Sequence, residues 1–145
     1  MMSIVVKTTV RLLFPLLLVY AAYIIANGHL GPGGGFQGGV IAASALFLLS
    51  IAFGYGKISY IYSELKLSVI ENLAAVFYVL IGLVGVIAGG AFLENNWLPY
   101  GSVGELFSAG FMLPINIAIG AKVASGIFVI GLLILALGWE EDGID

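Results

Sequence analysis

Three ionisable side chains lie close to, or within, long apolar runs of the sequence, where a charge is costly and usually has a function. They are His29, Glu71 and Lys122. An imidazole titrates near neutral pH, so His29 has the chemistry of a proton relay or a proton sensor. A carboxylate and an ammonium group at membrane depth can line a hydrated path for protons or cations. We therefore take these three residues as candidates for an ion pathway.

Each candidate also has a simpler structural explanation. His29 can be a hydrogen-bonded turn residue, and Glu71 is expected to open the third helix, where the positive end of the helix dipole stabilises a carboxylate. Lys122 is an interfacial anchor if the last helix begins at Gly120, but it lies about 12 Å inside if that helix begins near Pro114. In the second case Lys122 needs a carboxylate or carbonyl partner. The predicted topology places Glu71 at the opposite membrane face, so we do not expect these two residues to pair.

The composition indicates the elements that must position these groups. The chain is 61% hydrophobic and 9% charged, with a mean hydropathy of +1.16, whereas soluble domains are about 45–50% apolar and about 25% charged. Four uncharged runs are each long enough to cross a bilayer. The predicted helices run from Val5 to Asn27, Gly38 to Tyr55, Ile70 to Leu93, and Gly120 to Trp139. We predict an all-α fold in which residues 1–145 form a single four-helix transmembrane domain.

The basic residues predict the orientation in the membrane. Lys7 and Arg11 lie at the start of the first helix, and Lys57 and Lys66 lie between the second and third helices, whereas the loop after the first helix has no Lys or Arg. Cytoplasmic loops carry an excess of Lys and Arg. We therefore expect the N-terminus and the C-terminus to be cytoplasmic.

The loop between the first two helices is unusually rich in glycine. Residues 28–39 read GHLGPGGGFQGG, and this density predicts a constrained turn whose backbone shape matters. Gly33, Gly35 and Gly38 match the pattern G-x-G-x-x-G, but no strand precedes them, so we exclude a dinucleotide site. Either the loop is a tight interhelical turn or its backbone lines an aqueous pocket. The loop motif comprises Gly31, Pro32, Gly33, Gly34, Gly35 and Phe36, and we expect Phe36 to pack the turn onto the bundle.

Small residues within the spans predict close helix packing. Gly85 and Gly89 form a GxxxG pair on the third predicted helix. In lipid, such faces allow helices to approach closely, so they favour association with other helices of this chain or of other chains. We expect the chain to work inside a larger membrane assembly.

The remaining residue types argue against an enzyme. There is no cysteine, and the spans contain no metal-ligand cluster, no nucleophile with a paired base and no cofactor fingerprint. No basic run suggests nucleic acid. We predict a non-catalytic chain with no cofactor, no metal and no nucleic-acid partner.

Two stretches carry a resemblance to a known family. GHLGPGGGFQGGVIAA and the segment GELFSAGFMLPINIAIGAKVASG, from Gly104 to Gly126, resemble the signature of the MnhB/MrpB family, the small B subunit of multi-subunit Na⁺/H⁺ antiporters. Gln37 is a mild departure, because an apolar residue is usual there in the antiporter subunits. The resemblance implies an accessory, multi-pass subunit of the cell membrane, with other membrane subunits as partners and Na⁺ and H⁺ as the ions that the complex moves.

The resemblance leaves the type of complex open. Mrp-type modules also occur fused to membrane-bound hydrogenases and related complexes, so the parent complex is either a stand-alone antiporter or a redox-driven pump that is itself an oxidoreductase. The alternative hypothesis for this chain is a free-standing small channel or transporter that forms its own pore as a homo-oligomer.

Overall fold

A computed structural model of the chain describes residues 2–95, 101–102, 104–105 and 108–141. These residues contain five helices and no strand: α1 (Ile4–Ala26), α2 (Gly35–Phe53), α3 (Tyr55–Ile61), α4 (Glu64–Ile87) and α5 (Met112–Glu141). All except α3 are long and apolar enough to cross a membrane. The predicted all-α fold with four spans is therefore confirmed. The cytoplasmic placement of both termini stays a prediction.

The short helix α3 was not predicted from the sequence. Gly54 has a φ of +92°, a conformation that suits glycine, and it ends α2 and begins α3. The chain therefore bends after Phe53 instead of continuing to Tyr55. This bend turns Ile58 of α3 into the buried core.

Helix α5 lies at the centre of the arrangement. It packs against α2 on one side and α4 on the other, while α1 packs mainly against α2. Among the described helices, α2 and α4 have little or no contact with each other. The four spans therefore form a layer in the order α1, α2, α5, α4, and α3 covers one end by contacting α2 and α5.

The core lies where α5 meets α2, α3 and α4. The side chains of Phe128 and Leu132 on α5 are fully buried. They cluster with Ala43, Ile58 and Leu67. The ring of Tyr62 meets the ring of Phe128 edge-on, with centroids 5.9 Å apart, which is a favourable aromatic geometry.

Glycines allow α1, α2 and α5 to approach closely. A Cβ atom on Gly38 would lie 2.8 Å from the carbonyl oxygen of Ala21 in α1 and would overlap Ile25. A Cβ atom on Gly39 would lie 2.8 Å from the carbonyl oxygen of Gly120 in α5. Side chains at these positions would push the helices apart, so the small residues set the helix spacing.

Gly85 and Gly89 do not form the predicted packing pair on one helix, because α4 ends between them. This helix stops at Ile87 rather than Leu93, because Gly89 adopts a φ of +88° and the chain reverses. The nitrogens of Gly89 and Gly90 donate to the carbonyls of Val86 and Gly85, each over 3.0 Å, which is the Schellman pattern of a helix C-terminus. Gly89 thus lies beyond the helix, and Gly85 packs against the reversed chain instead of another helix.

Candidate functional site

Glu71 and Lys122 form an ion pair between α4 and α5. The Nζ atom of Lys122 lies 3.4 Å from Oε1 of Glu71. The side chain of Lys122 is 51% exposed and that of Glu71 is 35% exposed. The expectation that these residues would not pair was therefore wrong.

The pair forms because both helices begin earlier than predicted. α4 begins at Glu64 and α5 at Met112, so Glu71 lies about 10 Å and Lys122 about 15 Å from the start of its helix. The two helices are antiparallel, and these distances from their opposite ends bring the two side chains into contact. Glu71 is consequently an interior residue of α4. The prediction that it opens this helix was wrong.

The early start of α5 decides between the two explanations of Lys122. Pro114 lies in the first turn of α5, where the missing backbone N–H costs little because that donor has no partner within the helix. Lys122 is therefore not an interfacial anchor in the first turn. It is the deep lysine that required a carboxylate partner, and Glu71 supplies the carboxylate.

The carboxyl group of Glu71 lies beside Gly126 of α5. This glycine lies one helical turn beyond Lys122, and a Cβ atom on it would be 3.5 Å from Oε1 of Glu71. The neighbouring Ser125 is buried and donates to the carbonyl oxygen of Ala121 over 2.7 Å. Its hydroxyl is thus satisfied within its own helix, so the described polar contacts of the pair are those of Lys122 and Glu71 with each other.

The exposure of the pair is the unusual part of this geometry. Hydrocarbon offers neither hydrogen-bond donors nor acceptors, and ionisable groups inside spans almost always face protein or a water-filled cavity. A pair this exposed at membrane depth is stable only if water or polar groups of another chain cover it. Chemically, the carboxylate of Glu71 is a group that can accept a proton or a cation, and Lys122 balances its negative charge while neither is bound.

His29 occupies a different part of the molecule. Its Nε2 atom lies 3.3 Å from the carbonyl oxygen of Glu105, and since that oxygen only accepts, Nε2 carries the proton. Its Nδ1 atom is buried and has no hydrogen-bond partner among the described residues. The structure therefore brings Glu71 and Lys122 into contact, whereas His29 forms a hydrogen bond between the glycine loop and the segment before α5.

The glycine loop is a tight turn fastened to α5. A Cβ atom on Gly28 would lie 2.6 Å from the Cα atom of Gly34, and Gly33 has a φ of +135°. The backbone nitrogen of Gly35 donates to Oδ1 of Asn116 over 3.4 Å. These contacts support the tight-turn interpretation.

Phe36 and Asn116 depart from the sequence interpretation of this loop. Phe36 is 61% exposed, so the expectation that it packs the turn onto the bundle was wrong. Asn116 was missed as the residue that caps α2. The sequence did hold a signal for it. Gly34, the residue before α2, has no side-chain oxygen to cap the helix, so an acceptor had to come from another residue.

Among the described residues, no group of three His, Asp or Glu side chains is placed to hold a metal ion.

The sequence belongs to a known family. A family model described as a domain related to the MnhB subunit of Na⁺/H⁺ antiporter matches residues 5–129. The chain belongs to the MnhB family. This match confirms the resemblance inferred from the glycine loop and from the segment leading into α5.

Individual relatives agree with this membership. The uncharacterized protein MJ1307 of Methanocaldococcus jannaschii is 34% identical over 131 residues, which cover 85% of this chain and 50% of MJ1307. The putative antiporter subunit mnhB2 of Staphylococcus aureus is 38% identical over 56 residues, which cover 39% of this chain and 40% of that protein. This MnhB-family chain spans about half the length of the curated relatives it matches.

A solved structure shares the fold. A chain in the membrane-bound sulfane sulfur reductase, an archaeal respiratory membrane complex, is 38% identical and superposes with a TM-score of 0.77. The match covers 92% of this chain and 58% of that chain. Together with the four apolar helices, family membership identifies a multi-pass membrane protein. The region matched to the MnhB family contains His29, Glu71 and Lys122.

Proposed function

We propose that this MnhB-family protein is a non-catalytic, accessory membrane subunit of a Mrp-type module and that it supports the movement of Na⁺ and H⁺ through the complex. The observation that carries this proposal is the ion pair of Glu71 and Lys122. Its exposure of 35% and 51% at membrane depth fits a site that faces a hydrated path or another subunit.

The pair suggests how the subunit takes part. Lys122 balances the charge of Glu71 while no ion is bound. A proton or sodium ion that reaches Glu71 takes over this role, and the ammonium group of Lys122 then turns to water or to another acceptor. His29 can contribute at the loop side of the helices, because its buried Nδ1 atom lacks a hydrogen-bond partner among the described residues.

The relatives support both kinds of parent complex. One is a putative antiporter subunit and another belongs to a respiratory membrane complex. The chain has no cysteine, so thiolate-bound iron–sulfur chemistry in a redox-driven complex would belong to partner subunits. In either case the proposed partners are other membrane subunits and the lipid bilayer.

The test is Na⁺/H⁺ exchange in everted membrane vesicles that contain the complete complex. Lys122→Ala and Glu71→Gln are each expected to lower the exchange rate several-fold while the amount of assembled complex stays the same. Lys57→Ala is the control, because Lys57 is an exposed residue of α3 outside the pair. Unchanged exchange at equal assembly would remove the pair from the mechanism.

Native mass spectrometry after mild detergent extraction tests the alternative of a free-standing homo-oligomeric channel. The accessory-subunit proposal predicts complexes that contain other membrane subunits. A homo-oligomer without such subunits would contradict it.

A further inference from the structure

One exposed face of α5 joins the ion pair to an apolar groove. Lys122, Gly126, Ile130 and Ile134 follow one another at four-residue intervals, so each is a surface neighbour of the next, in a row that turns by about 120° around the helix from Lys122 to Ile134. Ile130 is 59% exposed and Ile134 is 61% exposed. This face is therefore polar at the level of Lys122 and apolar beyond it.

The groove lies between α2 and α5. Its volume is about 220 Å³, and it is lined by Ala43, Ser44, Phe47, Ile127, Ile130, Gly131 and Ile134. Its exposed walls include Ile130 and Ile134, whereas Ala43 at its base is buried and the ring of Phe47 covers Gly131. Because α2 and α4 have little or no mutual contact, the face of α5 between them is open.

We propose that this groove holds one transmembrane helix from a different subunit of the complex, and that this helix presents a carboxylate or amide oxygen to Lys122. The inference rests on the proposed role as an accessory subunit. Lys122 has three N–H donors and makes a single hydrogen bond among the described residues, the contact with Glu71. An oxygen from the incoming helix would give these N–H donors the hydrogen-bond acceptor that hydrocarbon lacks.

The shape and polarity of the face argue against the other occupants. Lipid tails would fill the apolar part but would offer no acceptor to the N–H donors of Lys122 that the contact with Glu71 leaves over. A second copy related by a two-fold axis would place the same concave surface on itself, whereas an isologous interface requires self-complementary patches. A single convex helix satisfies both parts of the face.

Site-specific photo-crosslinking in native membranes tests the proposal. We would replace Ile130 with p-benzoylphenylalanine in the assembled complex and identify the crosslinked peptide by mass spectrometry. The expected adduct is a transmembrane segment of another subunit. That segment should carry Asp, Glu, Asn or Gln about 12 Å from the crosslinked residue along the helix, the separation of Ile130 and Lys122 at about 1.5 Å per residue.

A second groove position and a control position keep the result interpretable. The crosslinker at Ile134 should capture the same segment even if the Ile130 variant fails to assemble. At Leu16, an exposed residue of α1 outside the groove, it should capture a different set of products. Adducts with lipid alone, with a second copy of this chain, or with a helix that lacks the acceptor would overturn the proposal, as would the same peptide from Leu16.

The crosslinking result is independent of ion exchange. If the predicted adduct forms but Lys122→Ala leaves exchange unchanged, the docking site stands and the proposed role of the ion pair in transport fails. If Lys122→Ala lowers exchange but Ile130 and Ile134 capture only lipid, the docking site is wrong and the role in transport stands.

Discussion

The side-chain oxygen of Asn116, near the start of α5, accepts a hydrogen bond from the backbone nitrogen of Gly35, the first residue of α2, over 3.4 Å. One helix thus caps another. The first N–H groups of a helix have no partner within it, and in hydrocarbon such groups cannot turn to water. This contact fixes the glycine loop on α5 and sets where α2 begins.

Removal of this cap should destabilise the bundle. Asn116→Ala leaves the nitrogen of Gly35 without its acceptor, and we expect a loss of about 1 kcal/mol, the usual effect of removing a helix cap. Asn116→Asp retains an acceptor oxygen and should stay close to the original stability. Thermal unfolding of the detergent-solubilised complex measures both. Asn72→Ala is the matched control, since the side chain of Asn72 is exposed and donates to Ser68 of its own helix. An equal loss in the control would contradict the role of Asn116.

A single methyl group at Gly38 should disturb the contact between α1 and α2. The new Cβ atom would lie 2.8 Å from a backbone oxygen, that of Ala21, and backbone cannot move aside as a flexible side chain can. We therefore expect Gly38→Ala to reduce the yield of assembled complex and its thermal stability. Gly56→Ala in α3 meets nothing within 4 Å and should be neutral or slightly stabilising, by up to about 1 kcal/mol, because alanine favours helix over glycine. If Gly38→Ala behaves like Gly56→Ala, the close helix approach is not a determinant of stability.

The orientation in the membrane can be tested with single cysteines, because the chain has none of its own. Gly31, in the glycine loop, and Gly56, in α3, are both exposed and have free space around them. From the distribution of Lys and Arg, Gly31→Cys should react with an impermeant maleimide from outside intact cells, and Gly56→Cys should react only in everted vesicles. Reaction of both from the same side would refute the topology.

Much of the fold follows from local sequence. The four spans are apparent from hydropathy because an apolar run of this length is stable only within the bilayer, and the glycine-rich turn follows from the φ angles that glycine permits. The ends of the helices are harder to predict from the sequence. Hydropathy does not show that α4 already begins at Glu64, or that Gly89 ends it with a reversal of the chain, because these ends depend on hydrogen bonds and packing that follow from the folded arrangement.

The sequence by itself determined the membrane class, the four helices, the family and the three ionisable candidates. Only the tertiary structure decided that Glu71 pairs with Lys122, that Asn116 caps α2, and that His29 contacts a different segment. The physical reason is the rise of about 1.5 Å per residue along a helix. A shift of a few residues in where α4 and α5 begin moves two charges from opposite membrane faces to the same level, and that shift depends on how the antiparallel helices pack.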